Sequence, residues 1–186
     1  MSDATRTTPA NAPNLHLATD YLHTVMRARL QMDKEENAKP VEIPPLSFYD
    51  DGSPLARFIQ SHQPTSNEYL LLLLALAPHL QPGFFRKIIA EYLPAGGDFP
   101  EFGGVKGRNH RDILPTGETA LFILAGNDLE KRLDVQRLFS SDHWFHQKGI
   151  LHLEPVPPGE PAMSGRIILD PEVVELLTQG KVSRPR

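Results

Sequence analysis

The chain has no cysteine. That removes disulfides and any thiol nucleophile, which suits a cytoplasmic protein. It also has no apolar run long enough to cross a bilayer. The longest, "YLLLLLALAP" from Tyr69 to Pro78, falls well short of the roughly 20 residues a spanning helix needs and reads as a buried helix. The opening "MSDATRTTPANAPN" has no apolar h-region, so no secretory leader is expected. A formal net charge of -4 gives no basic excess, and nucleic-acid binders usually carry one. No G-K-[ST] and no G-x-S-x-G occurs anywhere, so neither a phosphate-cradling P-loop nor a hydrolase nucleophile elbow is encoded.

What is present is one domain's worth of chain, 186 residues with an ordinary apolar fraction of 40%. Residues 1–13 read as a disordered tail. Residues 14–51 read as a first helix, with Ala18, Tyr21, Leu22, Val25, Met26 and Leu30 on one face, and then a proline-rich connector, "KEENAKPVEIPPL". Residues 52–180 read as the main domain, and "KVSRPR" as the start of a linker.

Within the main domain, a short helix starts near Ser53 with Pro54 at its first position and Leu55, Phe58 and Ile59 inward. Thr65 and Glu68 form a capping box before the leucine run, which makes Ser66 to about Leu80 the central helix. "QPGFFRKIIAEYL" follows as an amphipathic helix. Pro94 to about Leu114 reads as a long glycine-rich loop. Thr116 caps "GETALFILAG", "DLEKRLDVQRLF" is a further helix and "SDHWFH" one more turn. After Gly149, "ILHLEP" and "GRIILD" read as two strands joined by the loop "VPPGEPAMS". Asp170, Pro171 and Gly180 frame a last short helix. The expected fold is mainly α with a small β-hairpin: a helical bundle plus a winged-helix-like module.

The candidate chemistry concentrates in "GGVKGRNHR", Gly103 to Arg111. Lys106 precedes Gly107, and Arg108 and Asn109 stand where a P-loop needs lysine and a hydroxyl residue, so no nucleotide cradle is expected. The partner-binding candidates are Lys106, Arg108, His110 and Arg111, four donors in a loop whose glycines permit close backbone approach. His143 and His146 share helical spacing, with Asp142 adjacent and His152 further along, but a structural zinc site takes four ligands at tighter spacing and no cysteine helps. Trp144 and Phe145 are expected to be buried, with the histidines at the edge. Neither a metal site nor a catalytic residue is expected, and membrane association is not expected.

The order of "NEYLLLLLALAPHLQP", "LPTGETALFILAG", "LFSSDHWFHQKGILHLE" and "GRIILDPEVVELLTQG" resembles the N-terminal part of a group of bacterial AAA+ ATPases, some of them similar to the ATPases encoded with contractile injection systems. The resemblance covers about Ser53 to Arg186. In that group a helical segment and a winged-helix domain precede the motor. The resemblance implies a non-catalytic accessory domain that recognises a protein substrate or adaptor or positions the motor. ATP and Mg then belong to a module beyond Arg186, and this chain carries no cofactor of its own. A stand-alone winged-helix DNA-binding regulator is the alternative, although the charge balance makes nucleic acid a poor partner.

Overall fold

The apolar stripe of the first helix decides where it lies. In α1, Ala12–Lys34, the residues Ala18, Leu22, Val25, Met26 and Leu30 recur at helical spacing and are all buried. The structure is a computed structural model describing residues 11–35 and 42–181. The expected tail over 1–10, part of the connector (36–41) and the final linker residues 182–186 lie outside the described residues. The helix starts earlier than the sequence predicts, which takes residues 11–13 out of the expected tail. Pro13 sits in the first turn, where its missing N–H is not needed. The Asn11 side-chain amide donates to the carbonyls of Leu177 and Thr178, near the other end of the described chain.

Helix α2, Pro54–His62, turns at Gln63 into α3, Ser66–Leu80. The capping box is formed as expected: the Thr65 hydroxyl accepts from the Glu68 N–H, and the Glu68 carboxylate accepts from the Thr65 N–H. Residues 68–77 are buried on every face of α3, which packs against α1, the later helix α5 (Gly117–Ala125) and the later strand β4 (Ile167–Leu169). Helix α4, Phe84–Tyr92, packs on α1 and buries Phe84, Phe85 and Ile88, with the Phe84 ring edge-on to His23.

Beyond α4 comes a small antiparallel pair, β1 (Val105–Lys106) and β2 (Ile113–Leu114), with Val105 opposite Leu114 and Lys106 opposite Ile113. Helices α5 and α6 (Leu129–Gln136) then pack on each other. A 3-10 turn at Arg137–Phe139 and the short α7, Trp144–Gln147, lead into β3, Leu151–Leu153. Strand β3 pairs antiparallel with β4, placing Leu151 opposite Leu169 and Leu153 opposite Ile167. Helix α8, Pro171–Gln179, capped by Asp170, packs on α2.

The fold is therefore mainly α with small antiparallel hairpins. Two features differ from expectation. Strands β3 and β4 span three residues each, shorter than the expected segments, although the Glu154 N–H still donates to the Arg166 carbonyl and the Asp170 N–H to the Ile150 carbonyl at either end. The β1–β2 hairpin was not anticipated at all.

The entry of α5 lies alongside β4. Thr116 bridges to Arg166, the Ile167 N–H donates to the Pro115 carbonyl (2.9 Å), and the Gly117 N–H donates to the Gly165 carbonyl (3.0 Å). The first helix is tied to the connector by the buried Asn14. Its amide donates to the Tyr49 carbonyl, Asp51 and Ser53, and its oxygen accepts from the Tyr49 N–H at 2.7 Å. Arg29 reaches from α1 to the Ile123 carbonyl in the last turn of α5 (3.0 Å), and Arg132 of α6 reaches the Gly126 carbonyl (2.7 Å). Two cations thus meet the carbonyl end of α5, where the helix dipole favours positive charge. Burial lowers the Arg29 pKa from its usual value.

Candidate functional site

The glycine-rich stretch was expected to be a loop without regular structure; the structure corrects this. Phe99 and Phe102, three residues apart, drive the local fold. Phe102, in the 3-10 turn Pro100–Phe102, is fully buried, its ring 6.0 Å from that of Phe85 and 6.1 Å from that of Phe122. Phe99 meets Tyr92 and Phe122 edge-on at 5.6 and 5.4 Å. Such aromatic packing fixes the base of the segment between α4 and α5.

From that base the chain must bend closely past α5. Gly103 (φ +69°) and Gly104 (φ +95°) make the bend, and a Cβ on Gly104 would stand 2.2 Å from the Ile113 Cγ2. The Gly104 N–H donates to the Thr116 hydroxyl at 3.1 Å. The same hydroxyl accepts from the Thr119 N–H in the α5 capping box. One side chain therefore caps α5 and holds the start of the hairpin.

Lys106 ends β1, and Arg108, His110 and Arg111 lie in the turn before β2, so the structure brings all four sequence candidates onto one hairpin. Lys106, Arg108 and Arg111 are exposed, and none of the ion pairs among the described residues engages them. The turn from Lys106 to Arg111 lines an open concavity of about 510 Å³. Beside it runs a second groove of about 380 Å³, lined among others by Ile89, Phe99, Pro100, Val105 and Ile113, with Lys106 shared between the two. Val105 leaves 40% of its surface exposed there.

Two polar groups near the hairpin tip are left unsatisfied. Both carboxylate oxygens of Asp112, a residue only 6% exposed, and the Nε2 of His110 are buried without a hydrogen-bond partner among the described residues. Such groups carry a desolvation cost. His79, in the last turn of α3, has its pKa lowered by desolvation and then by the charge of His110.

The histidine pair read from "DHWFH" separates. His146 is exposed, whereas His143 is mostly buried and donates from Nε2 to Glu68 (2.5 Å). Its Nδ1 accepts the Phe145 N–H and caps α7, which leaves the ring proton on Nε2. The Trp144 indole N–H donates to the same Glu68 oxygen at 2.7 Å, and His62 stacks on Trp144 with ring centres 5.2 Å apart. Burial alone would raise the Glu68 pKa. The hydrogen bonds from Thr65, Trp144 and His143 outweigh it and hold the carboxylate below its usual range. The expectation that both histidines sit at the edge thus fails for His143. Its acid partner stands 75 positions earlier in the chain, a pairing no local pattern announces.

Sequence reasoning also missed Phe102 and Val105. The signal for Phe102 was present, since two phenylalanines three apart inside a glycine-rich stretch mark an anchored segment. Among the described residues no helix is long and apolar enough to cross a membrane. No protein-family model matches the chain, and neither a curated protein nor a solved structure matches it.

Proposed function

We propose that this chain is a non-catalytic recognition domain standing N-terminal to an AAA+ ATPase motor in the cytoplasm. It captures a protein substrate or adaptor, while a module beyond Arg186 supplies the ATP and Mg chemistry. The observation that carries the recognition role is the hairpin: three exposed, unpaired cations on a base locked by Phe102 and Thr116. A rigid base with solvated donors at its tip suits charge-assisted contacts to a partner.

The motor rests on the sequence resemblance, and the geometry agrees with the winged-helix part of it. Helices α5 and α6, the 3-10 turn and α7, strand β3, a long connection and β4 follow one another, and the entry of α5 adds a bridge to the start of β4. In this reading residues 154–166 are the wing, and α6 stands where a DNA reader places its recognition helix.

The surface of α6 favours protein over DNA. It exposes Leu129 (71%) and Leu133 (48%), and it sets Glu130 and Asp134 beside Lys131 and Arg132. Phosphate contacts need a local positive excess. The hairpin cations also suit phosphates, so a stand-alone DNA-binding regulator is the second reading.

The coding frame past Arg186 tests the motor. It is expected to continue into a G-x-x-x-x-G-K-[ST] stretch between a strand and a helix, and a stop codon there removes the motor from the account. Retention on duplex DNA tests the choice of partner. Little retention is expected, whereas strong retention that falls steeply with salt would bring the DNA regulator forward.

A further inference from the structure

We infer that the hairpin binds an extended peptide segment in which one or two apolar side chains stand next to a short run of carboxylates. This rests on the recognition reading above and names the chemistry of the partner. Two concavities meet at Lys106. The groove has a mixed lining: Ile89, Phe99, Pro100, Val105 and Ile113 offer apolar surface for one or two side chains, and Asp98, Lys106 and glycine backbone supply the polar part. Lys106 also lines the cationic concavity formed by the turn up to Arg111, so the two lie on either side of that one residue. A ligand lying across both must change from apolar to anionic over a few residues. A single extended strand does this, since each residue advances it by about 3.3 Å.

Charge fixes the polarity of that ligand. The one acid lining the groove, Asp98, repels carboxylates there. Lys106, Arg108 and Arg111 attract them at the other end, three exposed cations against the one buried carboxylate of Asp112 near the tip, and Asn109 and His110 complete that lining. The same reasoning disfavours DNA. A long polyanion interacts with the whole chain, whose net charge is -4, whereas a short acidic run lies within about a Debye length of the tip cations alone. The exposed Val105 has no function in the core and supplies apolar surface where the two regions meet.

The test is fluorescence anisotropy of the chain with labelled probes. One is a short peptide carrying a Leu-Phe pair beside an Asp-Glu-Asp run, made in both orders. Two more replace either the apolar pair or the acidic run by glycine and serine, and the last is a short DNA duplex. The full peptide is expected to bind in one of its orders, at least about tenfold more tightly than either truncated form, with binding that weakens as salt rises. The exposed-site variant K106E/R108E/R111E is expected to lose at least about tenfold in affinity for it. Val105→Asn, which removes the apolar side chain without adding charge, is expected to lose affinity for the full peptide but not for the acidic-only one. Circular dichroism shows whether each variant keeps its helical content.

Equal affinity for the full and acidic-only peptides overturns the inference, because the groove then contributes nothing. So does binding that the charge reversal leaves unchanged. Absence of binding by both peptide orders overturns it while leaving protein recognition to be decided at α6, by Leu129→Glu and Leu133→Glu in the full-length protein. Tighter binding of the DNA duplex than of any peptide overturns both the inference and the recognition reading.

Discussion

Glu68 shows how one residue acquires a second role. Locally it is the N3 acid of a helix cap. In the folded molecule it also takes hydrogen bonds from Trp144 and His143, which dock α7 onto the start of α3. Its folded pKa lies below the ordinary glutamate value of 4.5. The ionised form is therefore favoured by folding, and the stability it contributes is complete above that value and is lost as pH falls through the lower, folded one. In chemical denaturation across acidic pH, Glu68→Gln is expected to be less stable than the parent at neutral pH and to show a flatter decline below pH 4.5. Parallel declines would mean that Glu68 is not the group responsible. The capping box was legible from T-x-x-E. The His143 and Trp144 contacts were not, because they depend on how two distant segments meet.

At the scale of elements, the hairpin owes its position to a residue that faces away from it. Phe102 is buried among Phe85, Phe99 and Phe122, and the two glycines after it turn the chain toward the Thr116 hydroxyl. Phe102→Ala is expected to cost about 3–5 kcal/mol in chemical denaturation. Amide exchange at 103–114 should also rise more than in α3. A uniform rise across the chain would argue against a locally anchored hairpin. The helices were readable because their signals are local: apolar spacing, caps, and prolines at first positions. The two-residue strands were not. Their pairing is secured by the aromatic base and by Thr116, and Val105–Lys106 has no strand pattern of its own.

Over the whole molecule, α1 is part of the core and not an appendage. Asn14 holds the connector ahead of α2, Arg29 meets the end of α5, and Asn11 reaches α8. Asn14→Ala leaves the Tyr49 N–H and carbonyl and the buried Ser53 hydroxyl with fewer partners. It is expected to destabilise the fold by about 1–3 kcal/mol and to open residues 42–53 to limited proteolysis. An unchanged cleavage pattern would show that the connector is held by its apolar contacts alone. By itself the sequence determined the mainly helical class, the central position of α3, most helix boundaries and the grouping of the basic residues, since each follows from composition or from spacing within a few residues. Only the tertiary structure decided that those cations stand on a hairpin anchored at Phe102 and Thr116 beside a groove of mixed lining, and that His143 is tied to Glu68. Both depend on packing the buried Phe102 and the half-buried Trp144 against residues far away in the chain, and that packing is a property of the core and not of any one segment.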